Sequence, residues 1–398
     1  MKVVFVNRFY WPEIPATGQL LTDLAQGLAA RDWEVSVITS AAHPDVPRLE
    51  QHHGVTIHRV GGTRWARGGT SGKAIDFGTF FLGATRLVFR QAGPGTILVP
   101  MTDPPLLGVG VGFVAACRGA GTVHWIQDIY PEVAIALLQH SWLGILRPLR
   151  NLAWRKAAAC VTVGRDMTQA MIRAAVSPER VHVAPNWAPA GVVPLAPITP
   201  NALRKKWGLD GKFVVAYSGN LGRVHDLDPI IDLAEALRTD LEVVVVFIGD
   251  GVQRLQLETA ARARSLANVA FFPPQPRDRL SESLALGDLH LVTLRPGCEG
   301  YVFPSKLYGI AAAGRPILFV GPPDCDVAST VREHDLGQAF ARENTAGLAA
   351  AVRRLASDRA AWSRHSAAAL AFAAQHTAAR AVDRWHHVLA TVARTPSG

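Results

Sequence analysis

Cysteine is scarce in this chain. The four present, Cys117, Cys160, Cys298 and Cys325, stand far apart and match no metal-ligand spacing, which excludes a zinc module and fits a reducing compartment. No stretch reaches the roughly 18 uninterrupted apolar residues of a membrane-spanning helix; the nearest approach, residues 104–117, has the length of a buried helix. The opening MKVVFVNRF runs straight into a strand-like segment without a signal-peptide core or cleavage site, so a cytoplasmic protein is expected. No dense Lys/Arg block with interleaved aromatics occurs, and nucleic acid is not an expected partner. G-x-G-x-x-G is missing after every apolar run, which counts against a dinucleotide enzyme. Internal repeats and low-complexity segments are also absent.

What is present is apolar and long. At 398 residues, 49% hydrophobic and 18% charged, the chain is well buried and too large for one ordinary core. Its 41 Lys+Arg against 32 Asp+Glu give +9, an excess that suits either an anionic membrane surface or a generally Arg-rich composition. Apolar, β-branched runs at residues 3–6, 35–39, 97–100, 123–127, 160–163 and 181–184 alternate with helical patterns such as Leu20, Leu21, Leu24 and Leu28. Pro185, Pro189, Pro194, Pro197 and Pro200 then read as a linker. The alternation restarts at 213–218, 242–248, 269–272, 289–294 and 316–320, and the Ala/Arg-rich tail 345–393 reads as helical. The expectation is α/β, with two doubly wound Rossmann-like domains facing across a cleft. The boundaries expected are 1–188 for an acceptor-binding domain, 189–375 for a donor-binding domain, and 376–398 for a helix crossing back to the first.

The most informative stretch is CEGYVFPSKLYGIAAAGRP, residues 298–316, lying between two strand-like runs. It places Glu299 and Gly300 on a loop and Pro304, Ser305 and Lys306 at the opening of a helix. Free N–H groups and a lysine at a helix start favour an anion such as a diphosphate. An acid held nearby suits hydroxyl groups. This is either a nucleotide-sugar pocket or an ordinary βαβ crossover with a polar turn. SGNLGR, residues 218–223, follows a strand-like run and precedes a helix; Gly219 and Gly222 permit close backbone approach, and Arg223 can pair with phosphate oxygens.

These segments, with FIGDG at 247–251, resemble in order the donor domain of the retaining family 4 (glycosyltransferases group 1) enzymes of GT-B fold. The polysaccharide-building subgroup that transfers N-acetylated amino sugars is the most similar. The first half joins the resemblance through FYWPEIPATG (9–18), TDPP (102–105), WIQDIYPE (125–132) and PNW (185–187). The resemblance implies that Thr17 and Gly18 approach the sugar and diphosphate, and that Asn186 lines the same region. Asp128 takes the position of the family's His-Asp acid, here preceded by Gln127. Glu299 would meet the sugar's hydroxyls, and the amides of Gly300, Tyr301 and Val302 would face the diphosphate. Pro274 and Gln275, in a PPQP loop, would meet the base.

Three departures accompany it. The second acid of the family's paired-glutamate motif falls on Leu307, or on Gly309 if the loop is longer. The usual Arg-plus-Lys diphosphate pair becomes Asn220 and His225, so Arg223 and Lys306 are expected to supply those charges. The base loop is proline-stiffened. The implied enzyme moves a sugar from a UDP-sugar to a glycan or polyprenyl-diphosphate-linked acceptor with retention. It needs no cofactor or metal. Its rivals are a UDP-sugar 2-epimerase of similar shape and a non-catalytic two-lobed binding protein.

Several residues read two ways. Asp128 is either that acid or a helix N-cap, and His225 is either a site residue or a cap. Glu132 reads as a first-turn dipole partner, and His124, Trp125 and Trp154 as core. WLGILRPLRNLAWRK, residues 142–156, is either a core-facing helix or a peripheral membrane helix. In the membrane reading its bases Arg147, Arg150, Arg155 and Lys156 lie on anionic lipid.

Overall fold

Apolar runs without alternation predict strands covered on both faces, and the computed structural model, which describes residues 1–13, 15–41, 46–61, 69–195 and 201–394, places them so. Two compact units divide the chain. One comprises Met1–Asn186, Gly300–Val302 and Ala378–Gly398; the other comprises Trp187–Glu299 and Phe303–Thr377.

The first unit is built on β1 (Lys2–Val6), β2 (Glu34–Ser40), β3 (Leu49–His52), β4 (Val55–Val60), β5 (Thr96–Pro100), β6 (Gly121–Ile126), β7 (Ala159–Thr162) and β8 (Val181–Val183). Their order is β3-β4-β2-β1-β5-β6-β7-β8, parallel except for the antiparallel pair β3–β4. Its helices are α1 (Ala16–Ala29), α2 (Gly69–Gln91), α3 (Leu107–Arg118), α4 (Glu132–Leu138), α5 (Arg147–Lys156) and α6 (Arg165–Arg173). The core joins Val4, Val6 and Leu98 of the sheet to Val88 of α2 and Val111 and Ala115 of α3.

The second unit carries β9 (Phe213–Ser218), β10 (Val243–Ile248), β11 (Val269–Phe272), β12 (Leu289–Thr293), β13 (Ile317–Val320) and β14 (Gly337–Phe340), all parallel in the order β11-β10-β9-β12-β13-β14. Around it lie α7 (Ala202–Lys206), α8 (Asp228–Ala236), α9 (Arg254–Ala263), α10 (Leu280–Ala285), α11 (Lys306–Ala312), α12 (Asp326–Glu333), α13 (Thr345–Ser357) and α14 (Arg359–Gln375). The last helix, α15 (Ala378–Arg394), belongs to the first unit. There Trp385 is buried against Phe5 and Trp125, at ring distances of 6.3 and 4.8 Å.

Sequence patterning misses β3, β4 and β14. β4 alternates buried and half-buried residues and carries Thr56, His58 and Arg59, while β3 and β14 are short edge strands. The helical tail is three helices, separated at Asp358 and at 376–377. Pro185, Pro189 and Pro194 lie in a segment without regular structure; Pro197 and Pro200 lie outside the described residues.

Candidate functional site

In the second unit the carboxyl ends of β9, β10 and β12 carry the candidate donor residues. β9 ends at Ser218 and the chain turns at Gly219, whose φ of 124° suits glycine. The turn after β10 packs directly on it. A Cβ on Gly249 would lie 2.0 Å from the Gly219 carbonyl oxygen, so only glycine lets the two turns meet. Gly219 N–H donates to the Ile248 carbonyl (2.9 Å) and Leu221 N–H to the Asp250 carbonyl (2.9 Å). Gln253, which sequence reasoning did not single out, fastens the loop from below. Its Nε2 donates to the carbonyls of Gly222 (2.7 Å) and His225 (3.0 Å).

Lys306 opens α11 after Ser305, which sits at the cap position without a side-chain hydrogen bond. The Lys306 Nζ is buried and has no hydrogen-bond partner among the described residues. It lies 3.6 Å from the centre of the Tyr217 ring and 3.4 Å from where a Cβ of Gly219 would stand. Burial holds its ammonium well below the usual lysine range. Stripping an ammonium of water costs several kcal/mol, and a ring beneath it returns about 2. The group therefore lacks an anion. Tyr217 is the other residue the sequence did not reveal; its hydroxyl donates to the Asn220 carbonyl (3.1 Å), shaping the same turn.

Arg223 is exposed on this loop, and its guanidinium pairs with no acid among the described residues. Asn220 is exposed as well. His225 is buried, neither a cap nor an open ligand: its Nδ1 bonds the Thr293 carbonyl at 2.9 Å. Burial first, then the Lys306 charge, pushes its imidazole down to about 3. Glu299 is half-buried and accepts from the Gly297 N–H at 2.6 Å, which ties its carboxylate into the local turn. Leu307 and Gly309 are both buried on α11, so neither position offers a carboxylate. Pro274 is exposed, and the Gln275 amide folds onto the Pro273 carbonyl (2.9 Å).

The first unit holds the remaining candidates. Asp128 follows β6, and α4 starts only at Glu132 with Pro131 at its cap, so Asp128 is not an N-cap. Instead it forms an antiparallel bridge with Val302, alongside a bond from Ile129 N–H to the Tyr301 carbonyl (2.9 Å). That pairing uses the Tyr301 carbonyl and leaves the amides of Gly300, Tyr301 and Val302 out of it. The Asp128 N–H meets Thr102 Oγ1 at 3.3 Å. Burial, reinforced by the charge of Asp103, pushes the Asp128 carboxyl up to about 7. Asp103 itself is held by Arg8 (3.2 Å), and burial pushes Glu13, beside Arg8 and Arg59, up to about 7.

A cavity of about 30 Å³ adjoins Asp128, with Thr102, His124, Tyr130, Arg150 and Trp154 in its lining. Gln127 and Asn186 are buried and exchange two amide hydrogen bonds of 3.0 Å each, so both the oxygen and the nitrogen of the Asn186 amide are bonded to Gln127. Thr17 and Gly18 lie in the first turn of α1, where a Cβ on Gly18 would press on Phe9 at 3.2 Å. The basic segment needs correction: Arg150 is buried and paired with Glu132 (3.0 Å between Nη2 and Oε1), and Arg147 reaches the same carboxylate at 3.1 Å. Arg150 therefore faces inward and is no lipid-facing base, while Arg147 keeps 47% of its side chain exposed with its charge paired to Glu132.

Two Asp-x-Asp triplets occur, Asp226–Asp228 and Asp324–Asp326. Asp226 pairs with Arg342 at 2.7 Å, and no group of three metal-ligating side chains gathers among the described residues.

Comparison with known proteins places these features. Residues 17–187 match the family described as "Glycosyl transferase 4-like domain", and residues 201–372 match "Glycosyl transferases group 1". The Escherichia coli K12 protein named as a colanic acid biosynthesis glycosyl transferase, WcaI, is 29% identical over 336 residues, covering 79% of this chain and 82% of its own. A GDP-mannose-dependent alpha-mannosyltransferase of Mycobacterium tuberculosis is 27% identical over 65% of each chain. Among solved structures, HepE of Anabaena in complex with UDP-glucose superposes with a TM-score of 0.76 at 17% identity, over 98% of this chain and 100% of that one. WaaG, a glycosyltransferase involved in lipopolysaccharide biosynthesis, gives 0.70 at 16% identity, over 97% and 99%. With both halves matched, the chain belongs to the group 1 glycosyltransferases and has their GT-B fold.

Proposed function

We propose that this glycosyltransferase moves a sugar, an N-acetylhexosamine, from a UDP-sugar to a lipid-linked or other glycan acceptor, with retention, in building a cell-surface polysaccharide or glycoconjugate. The observation that carries the reading is the Lys306 ammonium, buried beside Gly219 without an anion. A diphosphate supplies that anion. As the bond from the sugar's C1 to the diphosphate oxygen breaks, its electron pair passes to the diphosphate, whose growing charge Lys306 and Arg223 stabilise. The acceptor oxygen bonds C1 on the same face, and its proton passes to the departing phosphate. Glu299 orients the sugar's hydroxyls. Asp128, in the first unit, holds the acceptor hydroxyl. No metal is required when two side-chain cations carry the charge.

Relatives support the setting rather than the sugar: WcaI is named for colanic acid biosynthesis, and HepE was solved with UDP-glucose. The mannosyltransferase relative makes GDP-mannose the donor to compare. A thermal-shift panel of UDP-N-acetylglucosamine, UDP-N-acetylgalactosamine, UDP-glucose and GDP-mannose tests the donor, because a ligand of the folded state raises Tm by mass action. The reading expects the largest shift from an N-acetylated UDP-sugar. A larger shift with GDP-mannose would contradict it. UDP release that needs an added acceptor separates transfer from epimerisation and from mere binding.

A further inference from the structure

Helices α2, α3 and α5 form one layer of the first unit. α3 lies in the middle: a Cβ on Gly110 would meet the Phe81 ring of α2, and one on Gly112 would touch Ala153 of α5. The inward sides of these helices fill the core, but their outward sides carry large apolar residues among the bases. Leu82 is 72% exposed, Phe113 71%, Trp142 67% and Ile145 77%, with Leu149 and Leu152 about half exposed. One exposed apolar residue is ordinary. Six on neighbouring segments of one layer form the kind of patch that marks an interaction surface.

Charge decides the partner. The segments that form the face, α2, α3 and residues 141–156, hold eight Arg/Lys against one acid, Asp76, which is buried. Two of the eight, Arg147 and Arg150, are paired with Glu132 of α4. Arg155 and Lys156, at the end of α5, are exposed and have no acid partner among the described residues. A second copy of the chain would meet this face with the same positive charge. An anionic bilayer offers both an apolar boundary and lipid phosphates. We propose that this face docks on an anionic membrane surface, Trp142, Ile145, Leu149 and Leu152 entering the headgroup boundary while Arg155 and Lys156 meet lipid phosphates.

Co-sedimentation of the full chain with phosphatidylcholine vesicles, with or without phosphatidylglycerol, tests the proposal. Binding should require the anionic lipid and fall at high salt. Arg155→Gln with Lys156→Gln should weaken partitioning on the order of 10-fold or more. Trp142→Ser with Ile145→Ser and Leu149→Ser should abolish it at low salt, while the thermal shift given by UDP stays unchanged. No binding to either vesicle, or equal binding by the wild type and the apolar triple variant, would overturn the proposal. So would a dimer seen by sedimentation that the triple variant dissolves. Loss of the UDP shift in the wild type would instead count against the donor reading.

Discussion

Lys306 is the residue on which the donor reading turns. Its Nζ has a ring beneath it and glycine backbone beside it, but no counter-ion. Arg223 is the second cation, exposed on the neighbouring loop. Lys306→Ala and Arg223→Ala should each lower kcat by about 10²-fold or more, the usual cost of losing one donor to a transition-state charge; near-wild-type turnover by both at saturating donor would dismiss the assignment. Asp128 makes a separate demand, on pH. Burial and Asp103 raise its carboxyl to about 7, so it is protonated below that point and ionised above it. If the ionised form holds the acceptor hydroxyl, kcat/KM should rise with pH through about 7. Asp103→Asn removes the raising charge and should move that inflection to lower pH. A profile that is flat across this range in the wild type would remove Asp128 from the step.

At the scale of elements, eleven strands of the two sheets were legible because each is a short apolar run bounded by turn residues, as 213–218 and 269–272 coincide with β9 and β11, whereas the polar or short β3, β4 and β14 were not. The helix starting at Lys306 was legible from Pro304 and Ser305 before it. Side-chain partners across elements were not. Arg150 and Glu132 are eighteen positions apart with a 3-10 turn intervening, so nothing in local spacing tells that the arginine faces inward while its leucine neighbours face out. The same limit hid Tyr217, which reads as one more core aromatic in FVVAYS until α11 brings Lys306 over it. The Arg150 pairing carries its own prediction. Arg150→Met leaves the Glu132 carboxylate buried with only the half-exposed Arg147, and should destabilise the protein by about 3 kcal/mol in urea unfolding. A change below about 0.5 kcal/mol would reduce the pair to a surface contact.

For the whole molecule, the two units each repeat the parallel α/β plan, and the family match runs through both. Side-chain cations rather than a metal neutralise the diphosphate in this account, so turnover should persist in EDTA and gain nothing from added Mg²⁺ or Mn²⁺; activity lost to EDTA and restored by either ion would reverse that. The most direct test of the central claim is calorimetric titration of the wild type and of Lys306→Met with UDP. A diphosphate beside the buried lysine meets a cation that has no other counter-ion among the described residues. Lys306→Met should bind UDP at least about tenfold more weakly, one charge-assisted contact being worth about 1.5–3 kcal/mol. UDP binding of equal strength in the wild type and Lys306→Met would contradict the diphosphate role of Lys306.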